Sequence, residues 1–214
     1  MDEVERIARE VLRRIQGDAP ASSTGPAIPV AVSARHVHIA RGMLDALFGP
    51  AFQLTKLRDL GQPGEFASGE TVTVVGRSMK ALEGVRILGP IRTYTQIELA
   101  RTDAVRLGVD PPVRASGDLA GSEPITLVGP AGAVALREGA IRATRHIHMT
   151  ERDALVHRVK DGDSVRVRLP GVRALTFENV VVRVGKAAAL EFHLDTDDAN
   201  AADVRPPALV EIIR

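Results

Sequence analysis

Apolar residues from about position 28 onward come in short runs, often at every second position. The clearest are Thr71 to Val75, Val85 to Leu88, Ile125 to Val128, Ala133 to Leu136, Ser164 to Leu169, Val180 to Val184 and Leu209 to Ile213. A strand turns successive side chains to opposite faces, so this period predicts strands. The chain's 19 glycines and 13 prolines break it into many short pieces. Short strands at such spacing predict small barrels or sandwiches rather than a layered βαβ fold. Two helices interrupt them, at about Arg41 to Phe48 and Glu151 to Val159; Thr150 with Asp153 three residues on forms an approximate capping box for the second. They are too few and too short to cover a parallel sheet.

The period changes at the N-terminus. Val4, Ile7, Ala8, Val11, Leu12 and Ile15 follow the i, i+3, i+4, i+7 spacing of an amphipathic helix over residues 1–17. Asp2 and Glu3 at its start and Arg13 and Arg14 near its end suit the helix dipole, and Gly17 is a plausible stop. Residues 18–27 read as a linker. A short helix on a tether is marginal alone and needs a surface for its apolar stripe. The linker favours a partner over its own body.

One pentad is written twice, 110 positions apart: Arg35-His36-Val37-His38-Ile39 and Arg145-His146-Ile147-His148-Met149. These two copies hold four of the six histidines. On a strand, His36 and His38 share one face about 7 Å apart at their Cα atoms, as do His146 and His148. Each pair is a half-site for Zn²⁺ or a similar ion. A lone His-x-His is as readily an ordinary polar pair; two copies in matched context point to metal. A catalytic zinc takes a third protein ligand. Candidates are His193, in a strand-like Glu191 to Asp195, and Glu98, an acid within an apolar run that needs a cation or an arginine such as Arg92 or Arg101. His157, beside Arg158 and Lys160, reads as surface. Arg35, Arg86, Arg92 and Arg145 bring planar forks suited to phosphate and carboxylate.

Composition narrows the chemistry. A net charge of +1 provides no field for nucleic acid or an anionic membrane, and 3% aromatics leave little for base stacking. The chain has no cysteine, which excludes disulfides, thiolate ligands and a cysteine nucleophile. No apolar run reaches the roughly 18 residues of a membrane span, and the charged N-terminus is unlike a secretory signal. An intracellular protein is expected. Neither the P-loop spacing nor the Rossmann glycine pattern is present.

Several stretches carry a family resemblance: VSARHVHI (32–39), LRDLGQPG (57–64), VRILGPIR (85–92), TQIELARTDAVRL (95–107), PPVRASGDL (111–119), Ala143 to Thr150 and LEFHLDTDDANAA (190–202). With them the chain resembles the PduL-type phosphotransacylases, the phosphate propanoyltransferases of bacterial microcompartments, over about residues 28–205. The resemblance implies a mainly β fold of two small interleaved β-barrels with short helical caps. One barrel would comprise residues 28–34 with 144–214, the other 35–143. It implies two zinc ions per chain, one held by His36, His38 and Glu98, the other by His146, His148 and His193. Arg92 would bind phosphate, and Ser33, Arg58, Arg86, the backbone at Leu88, His193 and Asn200 would line the coenzyme A site. Position 58 is Arg where the family leads one to expect Lys, and position 34 is Ala where Asn is expected.

The implied reaction is acyl-CoA (propanoyl-CoA, or the closely similar acetyl-CoA) plus phosphate giving acyl phosphate plus CoA. The implied setting is a cytoplasmic microcompartment whose shell or core proteins meet residues 1–17, with the enzyme a homo-oligomer. Two other readings use the same histidines: a zinc hydrolase of thioesters, and a cupin-like metal-binding module. The cupin motif places a glutamate three or four residues after its His-x-His; positions 42 and 43 are Gly and Met, and Glu151 follows His148 too closely.

Overall fold

The structure is a computed structural model that describes residues 25–213. The helix expected over residues 1–17, and most of the linker after it, lie outside the described residues. The elements run β1 (Ile28–Ser33), β2 (His36–Ala40), α1 (Arg41–Phe48), β3 (Lys56–Asp59), β4 (Phe66–Val75), β5 (Ala81–Arg92), β6 (Gln96–Glu98), α2 (Arg101–Leu107), β7 (Val113–Arg114), β8 (Glu123–Val128) and β9 (Ala133–Ala143). Then follow β10 (His146–Met149), α3 (Glu151–His157), β11 (Ser164–Leu169), β12 (Leu175–Val184), β13 (Glu191–Asp195), α4 (Thr196–Ala201) and β14 (Leu209–Ile213).

The strands close two six-stranded barrels. One runs β1-β13-β10-β12-β11-β14. The other runs β4-β5-β2-β6-β9-β8, closed where β8 pairs with β4; β3 and β7 add to its outside on β4 and β9. The wiring of the two is the same. Each histidine strand lies parallel to one neighbour and antiparallel to the other: β2 between β5 and β6, β10 between β12 and β13. The barrels also exchange strands. β1 belongs to the barrel of β10 but runs through Ala34 and Arg35 into β2 of the other, and β9 does the reverse through Thr144 and Arg145 into β10. Closure leaves no barrel edge open, and the exchange ties the two together through both crossings.

Alternation within the histidine strands decides what faces where. Val37 and Ile39 are fully buried in one barrel core, with Leu44 and Leu47 of α1, Val74, Ile87, Ile97 and Leu127. Ile147 and Met149 are fully buried in the other, with Ile28, Val180, Val182, Phe192 and Val210. Each such side chain contributes about 1.5–3 kcal/mol by leaving water. Those anchors fix the phase of β2 and β10, so His36, His38, His146 and His148 must take the opposite face.

Two helices were not foreseen. α2 is seven residues long, with Ala104 and Leu107 buried and Gly108 closing it in the left-handed region at φ 70°. α4 is TDDANA, with one buried residue, Ala199, and no apolar stripe to announce it; the Asp195 side chain caps it by accepting from the Asp198 amide at 2.9 Å. α3 stops at His157, two residues before the expected Val159, because Arg158 turns left-handed at φ 56°. The Thr150 capping box is present, Oγ1 accepting from the Asp153 amide at 3.1 Å and the Asp153 carboxylate accepting from the Thr150 amide at 3.0 Å.

The expectation for His157 needs correction. It is 1% exposed rather than on the surface. Gly25 lies so close to the ring that a Cβ there would come within 2.4 Å of Nδ1. Neither ring nitrogen has a hydrogen-bond partner among the described residues, and burial pushes the imidazole pKa down. Sequence period cannot reveal that Gly25 packs onto a residue 132 positions later in the chain.

Candidate metal centres and acyl-transfer site

The two histidine strands open on one cleft of about 710 Å³. In the first cluster, His36 stands directly across the antiparallel pair from Glu98. His36 Nε2 is 3.3 Å from His38 Nε2 and 3.5 Å from Glu98 Oε2, and His38 Nε2 is 3.7 Å from Glu98 Oε1. His36 Nδ1 lies 2.8 Å from the Ala34 carbonyl oxygen, a contact that only an N–H can make favourably. In the neutral ring the lone pair is then on Nε2, facing His38 and Glu98. Gln96, two residues before Glu98, donates to Glu98 Oε1 at 2.7 Å and orients it. Arg92 and Arg101, considered above as partners for Glu98, pair instead with Glu65 and Asp110.

The second cluster repeats this frame. His146 stands across from His193, its Nδ1 donating to the Thr144 carbonyl oxygen at 2.8 Å and its Nε2 lying 3.1 Å from His148 Nε2. Here His193 Nε2 meets Glu191 Oε2 at 2.7 Å. The donor atoms of each trio lie within 4.8 Å of one another. A tetrahedral ion with bonds of about 2.0–2.1 Å sets its ligands about 3.3 Å apart. The first cluster's spacings fit that edge. In the second, His146 and His148 fit it, while His193 Nε2 is paired with Glu191.

Electrostatics separate the clusters. Burial lowers the pKa of His36, but Glu98 beside it outweighs this and the net shift is upward. Burial raises that of Glu98, yet His36 and His38 hold it well below the usual carboxylate range. The second cluster has no acid at the third position. Burial takes His146 down to about 4 and His148 down to about 3, with the neighbouring imidazoles and Arg183 adding to both shifts. Those two rings are neutral at physiological pH, the form that binds metal.

Around the clusters, the cleft is lined by Ser33, Arg58, Arg86, Leu88 and Arg92. Arg86 donates to the Ser68 carbonyl oxygen at 2.6 Å. Arg35 and Arg145, the first residues of the pentads, reach to helices: Arg35 Nη1 donates to Asp103 at 2.6 Å, and Arg145 grips Asp198 through Nε at 2.6 Å and Nη2 at 2.8 Å. Two sequence candidates are absent from the cleft lining: Arg145, which is paired with Asp198, and Asn200, which is exposed on α4. Residues that the sequence reading passed over are Gln62, Glu65, Gln96, Arg183 and Glu191. Gln96 and Glu191 carried a signal, each two positions before a candidate third ligand on the same strand face. Gln62 and Arg183 come from a loop and a distant strand and carried none.

Two closed barrels sharing exchanged strands, with paired three-donor clusters on a common cleft, define a twin-barrel fold built around two potential metal centres. The family model for phosphate propanoyltransferase matches residues 29–205. Phosphate propanoyltransferases of several bacteria are similar over nearly their whole length. That of Lachnoclostridium phytofermentans is 47% identical over 99% of both chains, and that of Thermotoga maritima is 51% identical over 88% of this chain and 90% of its own. The Rhodobacter capsulatus protein is 45% identical over 98% of this chain and 96% of its own. The chain belongs to the phosphate propanoyltransferase family, a family of acyltransferase enzymes. Among the described residues no helix is long and apolar enough to cross a membrane.

Proposed function

We propose that the chain is a zinc-dependent phosphotransacylase that interconverts propanoyl-CoA, or acetyl-CoA, plus phosphate with the acyl phosphate plus CoA. The observation that carries this reading is the opening of two three-donor clusters onto the same cleft as Arg92. His36, His38 and Glu98 would hold one ion, and His146, His148 and His193 the other. Zinc at such positions supplies Lewis acidity toward the thioester carbonyl and the departing sulfur.

The protein's own groups do the rest. The Arg92 guanidinium binds and orients phosphate, and the cleft strips water from it, converting a weak nucleophile into a positioned one. A phosphate oxygen attacks the thioester carbonyl carbon, the C–S bond breaks, and coenzyme A leaves as thiolate. With no cysteine in the chain, direct attack by phosphate is favoured over an acyl-enzyme on sulfur. Arg58, Arg86 and Ser33 supply donors for the coenzyme, with the backbone at Leu88 and the His193 ring beside it; Asn200 would join them only if α4 moved. The acyl chains differ by one methylene, worth about 1–3 kcal/mol in a pocket, so either can be accepted.

The test is thiol release from both acyl-CoA substrates, with and without phosphate, on protein of measured zinc content. Release that requires phosphate, with about two zinc per chain, supports the reading. Phosphate-independent release points to a hydrolase, and metal without either activity to a binding module. Residues 1–17 and their linker fit an address for microcompartment shell or core proteins. Deleting residues 1–20 would then leave turnover intact and abolish co-purification with shells.

A further inference from the structure

Arg92 is already engaged. Its Nη2 donates to Glu65 Oε1, while the adjacent Nε is buried without a hydrogen-bond partner. Both side chains are about 30% exposed on the cleft, 30% for Arg92 and 29% for Glu65. A guanidinium presents its Nε and Nη2 hydrogens as a fork that an anion can fill with two oxygens. Glu65 fills half of it.

The backbone of Glu65 is fixed, so its carboxylate stays within reach of Arg92. The Leu60 amide donates to the Glu65 carbonyl oxygen at 3.0 Å, and the Glu65 amide donates to the Gln62 carbonyl oxygen at 3.1 Å, closing a tight loop. Gln62 fastens that loop to the other barrel. Its side chain donates to the Ala189 carbonyl oxygen at 3.0 Å and to Glu191 at 3.2 Å, and accepts from the Ala189 amide at 3.1 Å. Gly61 beside it lies against Glu191, where a Cβ would come within 2.4 Å of the carboxylate. Glu65 also adds to the field of Glu98 at His36, so its charge is felt at the first cluster.

We propose that Glu65 competes with phosphate for Arg92 and thereby sets the phosphate concentration at which the enzyme works. This rests on Arg92 being the phosphate ligand. A phosphate using both prongs of the fork meets the orphaned Nε, but it must displace the carboxylate or share the guanidinium beside it. Like charge at that distance weakens phosphate binding and hastens its exchange. Glu65 is thus a specificity-determining residue, favouring an anion with enough charge and oxygens to win the contest.

The experiment compares zinc-loaded wild type, Glu65→Gln and Arg92→Gln in thiol release at saturating propanoyl-CoA with phosphate varied, and with sulfate as competing anion. Glu65→Gln should lower KM for phosphate about 3- to 10-fold, an effect of the size of one partly exposed ion pair, with kcat moving less. The inhibition constant for sulfate should fall in parallel. A KM that stays or rises while kcat falls would show that Glu65 positions Arg92 productively, and would overturn the competition. If Arg92→Gln keeps normal saturation by phosphate, the phosphate site itself is misassigned and the proposal goes with it.

Discussion

The two clusters sit in one frame with different contents. Each has two histidines on a strand, a third donor across the antiparallel pair, a ring Nδ1 donating to the carbonyl two residues back, and an arginine just before the first histidine reaching to a helix aspartate. They differ at four matched places. Glu98 corresponds to His193, Gln96 to Glu191, Arg86 to Val181, and Leu88 to Arg183, by register against the two histidine strands. The first cluster therefore encloses a carboxylate under two imidazoles. The second encloses imidazoles alone, with its neighbouring arginine beside the second histidine rather than the first and the acid two residues earlier on the strand. One frame thus makes a site with a carboxylate ligand and one without, and the matched substitutions that separate them number four. The frame comes from barrel packing; the chemistry comes from side chains that packing does not constrain.

The comparison can be broken most directly by removing a ligand. His148→Ala should abolish binding of one of the two proposed metals and cut turnover at least about 100-fold, or about 2.7 kcal/mol of barrier. Metal analysis alongside kinetics checks it, and full metal with normal turnover would refute the ligand assignment. The frames are tested by truncating Ile147, fully buried beneath the second cluster. Ile147→Ala should cost about 2–5 kcal/mol in urea unfolding.

Exchange of third ligands sharpens the contrast. Glu98→His makes the first cluster resemble the second and should retain metal, whereas Glu98→Ala should lose affinity about 10- to 100-fold, a scale already reached by changes to groups that merely support ligands. Titration with zinc against a competing chelator separates the two. If Glu98→His binds no better than Glu98→Ala, the clusters are not interchangeable frames.

Acid provides a subtler probe. His146 and His148 titrate at about 4 and about 3 when folded, against 6.5 in the unfolded chain. The unfolded state binds more protons between those values, so these two groups make metal-free protein lose stability as pH falls from 6.5 toward 4. Replacing both with Gln should flatten that slope in urea unfolding at each pH. The smallest effect concerns the arginines. Arg145 grips Asp198 with two bonds, whereas Arg35 holds Asp103 with one. Lysine keeps charge but not the fork, so Arg145→Lys should destabilise by about 1 kcal/mol more than Arg35→Lys.

Much of this was written locally. Alternation marked the strands because each has one face in a core, and β11 and β14 span the residues read for them. The repeated pentad announced two histidine pairs, each on one strand face, because His-x-His needs only the period of a single strand. Third donors were legible only as candidates, since Glu98 and His193 meet their partners across 62 and 47 residues of chain. α4 was invisible because its polar residues are stabilised by a cap and by one buried alanine, not by an apolar stripe.

The sequence by itself determined strand phase, the histidine faces, the absence of thiol chemistry and, through its motifs, the family. Tertiary structure alone decided the rest. It buried His157, joined Gln62 to Ala189 and Glu191 across the two barrels, engaged Arg92 with Glu65, and left Asn200 outside the cleft. The physical reason is range. Side-chain period and propensity act over a few residues, whereas these contacts depend on which strand closes which barrel, a choice made by the packing of two whole cores.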